Sequence, residues 1–121
     1  MALALLTALS IPSHASAAPL SCPQWEPLLR KHFPAKVVPA MSRIMYRESR
    51  CNPKSVSALR NNGRPDVGLM QIQGSWQTVT RAVCKKQDII RALQDPSCNV
   101  RVARYLYDNG GLGHWKATSG S

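Results

Sequence analysis

The chain has 121 residues, which fits one domain, and it carries a formal net charge of +10 at pH 7. So basic a chain is attracted to polyanions, which for an exported protein are bacterial wall polymers or anionic lipid surfaces. No helix-turn-helix, RNA-recognition or zinc-finger pattern is present, so no specific nucleic-acid partner is expected. The alternative is that the charge only maintains solubility.

The first residues are typical of an export signal. An apolar run at residues 2–9 is followed by the small residues SHASAA, as at a signal-peptidase site. The run is too short for a membrane span, which needs about twenty apolar residues, so no stable membrane insertion is expected. We interpret residues 1–18 as a signal peptide and 19–121 as the folded domain, secreted or periplasmic and associated with the cell wall.

The chain contains four cysteines, which in a small exported chain predict two disulfides. They form no CxxC pair and have no histidine at ligand spacing, so neither a metal site nor a cofactor is expected. The sequence allows three pairings. We favour Cys22–Cys51, which would tie the start of one helix to the end of the next, and Cys84–Cys98, which would close a local loop.

Two helices are predicted at residues 25–32 and 35–50, separated by the helix-breaking Pro34. The segment SVSALRNNGRPDVG then predicts a short strand, an Asn-Asn-Gly turn and a second short extended piece.

Three further helices are predicted from their capping residues. Ser75 can cap a helix through about Val83, and Asp88 can help to cap another that ends near residue 93. Asp95, followed by Pro96, marks the start of a last helix that precedes paired glycines. The fold class is therefore mainly α (α+β), with several helices and one small β-hairpin.

Glu48 lies on the apolar side of the second predicted helix. At about 100° per residue it shares a face with Val37, Met41, Ile44 and Met45. It could form a buried salt bridge with an arginine of another element. Alternatively, partial desolvation could raise its pKa, so that the carboxyl acts as a general acid near neutral pH. Glycoside cleavage needs such a proton donor.

Two other acidic residues, Asp66 and Asp108, lie near turns. Asp66 follows Pro65, and its local sequence favours turn chemistry. Asp108 ends the last helix, where the helix dipole disfavours a carboxylate, which suggests a turn or ligand role. Among the tryptophans, Trp115 lies in a glycine-rich loop and suits a cleft, whereas core packing is the preferred role of the other two, Trp25 and Trp76.

The motif ESRCNP at residues 48–53, followed by GLMQI at 68–72, resembles the paired motifs of soluble lytic transglycosylases in the lysozyme-like superfamily. The resemblance implies a lysozyme-like domain with the hairpin beside the active-site cleft. It also implies that Glu48 is the catalytic acid and that Gly68, Met70 and Gln71 shape the cleft floor. Tyr105 is also expected to bind substrate.

The longer string NNGRPDVGLMQIQGSW also resembles c-type lysozymes, in which the position of Asp66 holds a second catalytic carboxylate. Past the last helix, DNGGLGHW is similar to a lysozyme loop. Asp108 there matches an acidic cleft residue, and Trp115 matches the Trp beside the catalytic Glu. The chain departs from both patterns, because Gln73 replaces the usual Asn and the Ala-Tyr-Asn motif of many transglycosylases is absent.

These resemblances imply cleavage of the β-1,4 bond between N-acetylmuramic acid and N-acetylglucosamine in peptidoglycan. We favour a lytic transglycosylase, in which the muramic acid's own 6-hydroxyl attacks and a 1,6-anhydro sugar forms. The alternative is a retaining lysozyme that uses Glu48 and Asp66. A non-catalytic basic cell-wall-binding protein is a further alternative. The expected partners are peptidoglycan glycan strands and anionic wall polymers, and the expected state is a monomer.

Overall fold

The computed structural model describes residues 20–59 and 63–115, so the predicted signal peptide lies outside the described residues. The described part contains five α-helices and one two-stranded sheet, which confirms the predicted fold class. The helices are α1 (Glu26–His32), α2 (Val38–Ser49), α3 (Gln77–Cys84), α4 (Ile89–Leu93) and α5 (Pro96–Asp108). Single 3-10 turns precede α1, α2 and α3, and another at Gly111–Trp115 follows α5.

The first two helices begin and end close to where the sequence predicts. Phe33 leaves α1 in an extended conformation, as expected of a residue before a proline. Helix α2 is followed by Arg50, whose left-handed backbone, with φ 54°, ends the helix. Met41, Ile44 and Met45 are fully buried, so the predicted apolar stripe does face the core.

The β-hairpin lies further along the chain than the sequence predicts. Strand β1 (Asp66–Val67) pairs antiparallel with β2 (Ile72–Gln73), so the turn is formed by residues 68–71. The prediction that the hairpin spans Asn-Asn-Gly was wrong, because the first predicted strand forms only an isolated bridge, between Val56 and Val67. The two asparagines themselves lie outside the described residues. A tighter turn forms downstream because two of its residues adopt positive φ.

Two of the three predicted helix caps are confirmed. The side chain of Asp88 accepts the N–H of Arg91, and that of Asp95 accepts the N–H of Ser97. The prediction for Ser75 was wrong, because this residue lies in the 3-10 turn before α3. Its hydroxyl donates to Oε1 of Gln73 over 2.9 Å, and the N-cap of α3 is Trp76, with no side-chain hydrogen bond to the helix.

Both favoured disulfides, Cys22–Cys51 and Cys84–Cys98, are present. The first closes the α1–α2 pair, and the second joins the end of α3 to the first turn of α5. Helix α5 packs against α1, α3 and α4 and so forms the centre of the domain. No helix in the described part of the chain is long and apolar enough to cross a membrane.

Candidate functional site

A buried asparagine on α5 holds the turn between the two strands. The Oδ1 atom of Asn99 accepts the N–H of Met70 over 2.9 Å. Its Nδ2 donates to the carbonyl oxygens of Val67 and Leu93, each over 2.8 Å. Asn99 is fully buried, and these three bonds satisfy its amide, as a buried polar group requires. Sequence reasoning missed this residue, although a lone amide among the apolar residues of the last helix was the available signal.

Gly68 is the position where this turn requires a glycine. Its φ is +80°, which side-chain-bearing residues rarely adopt. A Cβ atom there would also collide with Nδ2 of Asn99 and with the carbonyl oxygen of Leu93. The close approach of α4 and α5 to the hairpin therefore depends on the missing side chain.

The same turn fixes the orientation of Gln71, whose backbone has φ 49°. Its Nε2 donates to the carbonyl oxygens of Ser55 and Gly68, over 3.2 and 3.1 Å. Both amide hydrogens are thus directed at the protein backbone. The side-chain oxygen is then the group that Gln71 can offer to a ligand.

Trp115 connects the loop after α5 to the hairpin turn. Its ring is 4% exposed, and Nε1 donates to the carbonyl oxygen of Met70 over 2.9 Å. The ring of His114 lies edge-on to Trp115 and to Trp76, with 5.8 Å between ring centroids in each case. Three aromatic rings, those of Trp76, His114 and Trp115, therefore lie together beside the turn.

These elements enclose a pocket of about 280 Å³. Asp66, Gln71 and Trp115 of the predicted set line it. Trp76 and His114 line it as well, although the sequence favoured core packing for the first and offered no partner for the second. Aromatic faces with a few polar groups suit a sugar ring, which has apolar faces and a polar edge. The full lining is Asp66, Gln71, Ile72, Gln73, Trp76, Leu106, His114 and Trp115.

Asp66 is 6% exposed and forms part of β1. Its backbone N–H donates to Oγ of Ser57 over 2.9 Å, and its carbonyl oxygen accepts the N–H of Ser57 over 2.9 Å. The backbone of Asp66 therefore joins β1 to the segment around Ser57, and Asp66 also lines the pocket.

The structure does not place every predicted site residue in the pocket lining. Glu48 is half-buried in the last turn of α2 and is not part of that lining. Tyr105 is 42% exposed on α5. Asp108 accepts from Nε of Arg104 over 2.8 Å at an exposed position, so this pairing explains a carboxylate at a helix C-terminus.

Residues 34–116 match the family model of the transglycosylase SLT domain. The chain belongs to this family. The match includes α2 with Glu48, the hairpin turn and Trp115, and it confirms the transglycosylase resemblance of the sequence. Membership supports a peptidoglycan lytic transglycosylase-type activity in general, with peptidoglycan as the substrate. A search of curated proteins found no match. Among residues 20–59 and 63–115, no cluster of three or more His, Cys, Asp or Glu side chains could hold a metal ion.

Proposed function

We propose that the chain cleaves the β-1,4 bond between N-acetylmuramic acid and N-acetylglucosamine, with Glu48 as the general acid and then the general base. The Glu48 carboxyl protonates the oxygen that leaves with N-acetylglucosamine. The resulting carboxylate then accepts the proton of the muramic acid 6-hydroxyl while that oxygen attacks the anomeric carbon. The bond is exchanged without water, and the product carries a 1,6-anhydro ring.

The observation that supports this role is the position of Glu48 on α2. Glu48 is half-buried, and it lies next to the face of α2 that packs in the core. Met41, Ile44 and Met45 precede it along that face and are shielded from water. This buried face holds the helix in place, and a fixed position of the carboxyl is what a general acid requires. The SLT family match spans Glu48 and the turn at residues 68–71 together.

The pocket provides a candidate subsite for the glycan strand. The side-chain oxygen of Gln71 can accept a hydrogen bond from an amide or hydroxyl of the sugar. The half-buried Trp76 offers apolar ring surface on which a sugar face can rest, and the buried Trp115 forms part of the pocket wall. Binding there would hold the strand in place while the acid acts on the adjacent bond.

The test is replacement of the acid by its amide. Glu48→Gln should lower the clearing of purified peptidoglycan by about 100-fold or more, since general acid catalysis contributes roughly 10²–10⁴. Glu26→Gln, which changes the only other glutamate in the chain, serves as the matched control and should retain activity. Circular dichroism should show both variants folded. Near wild-type clearing by Glu48→Gln would sink the assignment.

A second candidate is retaining hydrolysis, because Asp66 is buried and lines the pocket. In that mechanism Asp66 attacks or stabilises the anomeric centre, and water completes the reaction. Mass spectrometry of the released muropeptides distinguishes the two reactions. Anhydro ends support the transglycosylase, and reducing ends, heavier by one water, support the hydrolase. Asp66→Asn should cost little in the first case and several orders of magnitude in the second.

We further propose that the chain acts outside the cytoplasm as a monomer, after removal of residues 1–18. The two disulfides fit an oxidising compartment. N-terminal sequencing of the exported protein tests the cleavage position. A non-catalytic wall-binding protein would instead bind sacculi without releasing any muropeptide.

A further inference from the structure

Two arginines of α5 reach the helices on either side of it. Arg104 donates from Nη1 to the carbonyl oxygen of His32, at the end of α1, over 2.7 Å. Arg101, about one turn earlier, donates from Nη2 to the carbonyl oxygen of Val83, in the last turn of α3, over 2.7 Å. Their guanidinium groups therefore lie where α5 meets α1 and where it meets α3.

Two exposed lysines extend this charge. Lys31 lies in the last turn of α1, and Lys85 directly follows α3. We call Lys31, Lys85, Arg101 and Arg104 the basic strip. Asp108, bonded to Arg104, is the acidic side chain that the structure pairs with it. Four cations thus face one carboxylate, and the strip keeps a net positive charge.

His32 reports the combined effect of these cations. Burial lowers its pKa below the ordinary value of 6.5, and the charges of Arg101, Lys31 and Arg104 lower it further. Three members of the basic strip therefore act on one point of the surface. An anion bound there would oppose their effect.

The basic strip lies on the side of α5 that faces away from the pocket. Leu106 is the α5 residue that lines the pocket. With 3.6 residues per turn, Arg101 and Arg104 are roughly 140° and 160° around the helix from Leu106. A polymer on the strip would therefore leave the pocket open to a glycan strand.

We propose that the basic strip binds a phosphodiester polyanion of the cell wall while the pocket holds the glycan. The choice of a wall polymer rests on the proposed function. Single-stranded nucleic acid offers the same phosphates, but its binding proteins add aromatic platforms for the bases. In the described part of the chain, Tyr105 is the single exposed Tyr, Trp or Phe side chain on α5. Insertion into a membrane surface would need apolar side chains beside the charges, which the basic strip does not contain.

The first test is a pH titration of the histidine side chains by nuclear magnetic resonance, without and with poly(glycerol phosphate). The pKa of His32 should rise when the polymer is added, because bound phosphates offset the neighbouring cations. His114, in the pocket, is the internal reference and should not move. His32→Gln assigns the resonance. An unchanged His32, or an equal shift of both histidines, would overturn the proposal.

The second test compares two charge reversals. Lys31→Glu and Arg50→Glu each change the charge by two at an exposed helix C-terminus, so the helix-dipole effects match. Arg50 is next to Cys51, which is bonded to Cys22 just before the start of α1. Arg50 therefore lies near the opposite end of α1 from Lys31. Lys31→Glu should weaken poly(glycerol phosphate) binding about tenfold at low salt, and Arg50→Glu less than about threefold. Equal losses would show that net charge alone drives binding.

The third arm uses oligo(dT) with the same number of phosphates. Tighter binding of the DNA at equal ionic strength would overturn the wall-polymer assignment. Catalysis is measured separately on peptidoglycan stripped of attached polymers, where Lys31→Glu should remain active. Glu48→Gln should still bind poly(glycerol phosphate). Failure of the basic strip and failure of the proposed reaction therefore give different results.

Discussion

Asn99 shows how one side chain can organise a site that it does not itself line. Its amide joins β1, the hairpin turn and the end of α4 through three buried hydrogen bonds. Each of those backbone groups belongs to a fully buried residue, Val67, Met70 or Leu93. The position of Met70, and with it the acceptor for Trp115, therefore follows from a residue on α5.

Asn99→Ala should lower the free energy of unfolding by about 3–5 kcal/mol, since it removes three buried hydrogen bonds. Urea unfolding measures this loss. Asn109→Ala is the control, because Asn109 is exposed and makes one bond, to the carbonyl oxygen of Tyr105. The control should cost about 1 kcal/mol or less. Equal losses in the two variants would contradict the role assigned to Asn99.

Gly68→Ala tests the close approach at the turn. The added Cβ would strain a backbone with φ +80° and meet both Asn99 and Leu93. We expect a loss of about 3 kcal/mol or more, which exceeds the usual cost of removing a glycine from a left-handed position. Gly111→Ala is the matched control, since Gly111 also has a positive φ, +59°, and nothing lies within 4 Å of a Cβ at that position. A thermal unfolding midpoint that drops equally for both would show that the turn can relax.

At the scale of the elements, the helices could be predicted because their signals are local. Asp88 and Asp95 cap the helices that follow them, and the stripe through Met41 and Met45 faces the core as its spacing indicates. The hairpin could not be located in the same way. Its turn is fixed by Asn99, which is about thirty residues away in the sequence, and no local pattern contains that contact.

The pocket was only partly predictable for the same reason. The motif match points to Gln71 and Trp115, which both line it. Trp76 and His114 join them because the loop after α5 folds back over the start of α3. Glu48 was singled out by its place on an apolar face, and its catalytic role stays a prediction.

The cap of α5 should lose its effect in acid. Burial alone would raise the pKa of Asp95, but hydrogen bonds from Lys86 and from the N–H groups of Ser97 and Cys98 outweigh it and lower the pKa below 3.8. Its stabilisation is therefore present above pH 3.8 and is lost as pH falls through the lower, folded-state value. Asp95→Ala should cost about 1 kcal/mol at pH 7, and in urea unfolding that difference should shrink at pH 2–3.

His32 should make the α1–α5 contact sensitive to mild acid. Because its folded-state pKa lies below 6.5, the unfolded chain binds the proton more readily. Stability should therefore fall as pH decreases below 6.5 towards the folded-state value. His32→Gln should flatten this part of the curve of unfolding free energy against pH. An identical curve for the variant would contradict the prediction.

The whole molecule combines a small core with two covalent links. The described part of the chain, residues 20–59 and 63–115, buries a modest core, so the disulfides should supply a large share of a small net stability. Cys84→Ala with Cys98→Ala opens a link of sequence separation 14. In the chain-entropy account this should lower the unfolding free energy by about 3 kcal/mol. Chemical denaturation of the double variant, beside wild type under non-reducing conditions, measures the difference.

The neighbourhood of Cys98 and Asn99 has a consequence for when the molecule can act. The cystine anchors the first turn of α5, and the very next residue holds the backbone of the hairpin beside the pocket. Formation of the Cys84–Cys98 disulfide thus helps to hold the hairpin turn in place beside the pocket. In a reducing compartment the chain would lack this link, so the hairpin beside the pocket should be held less firmly until the disulfide forms.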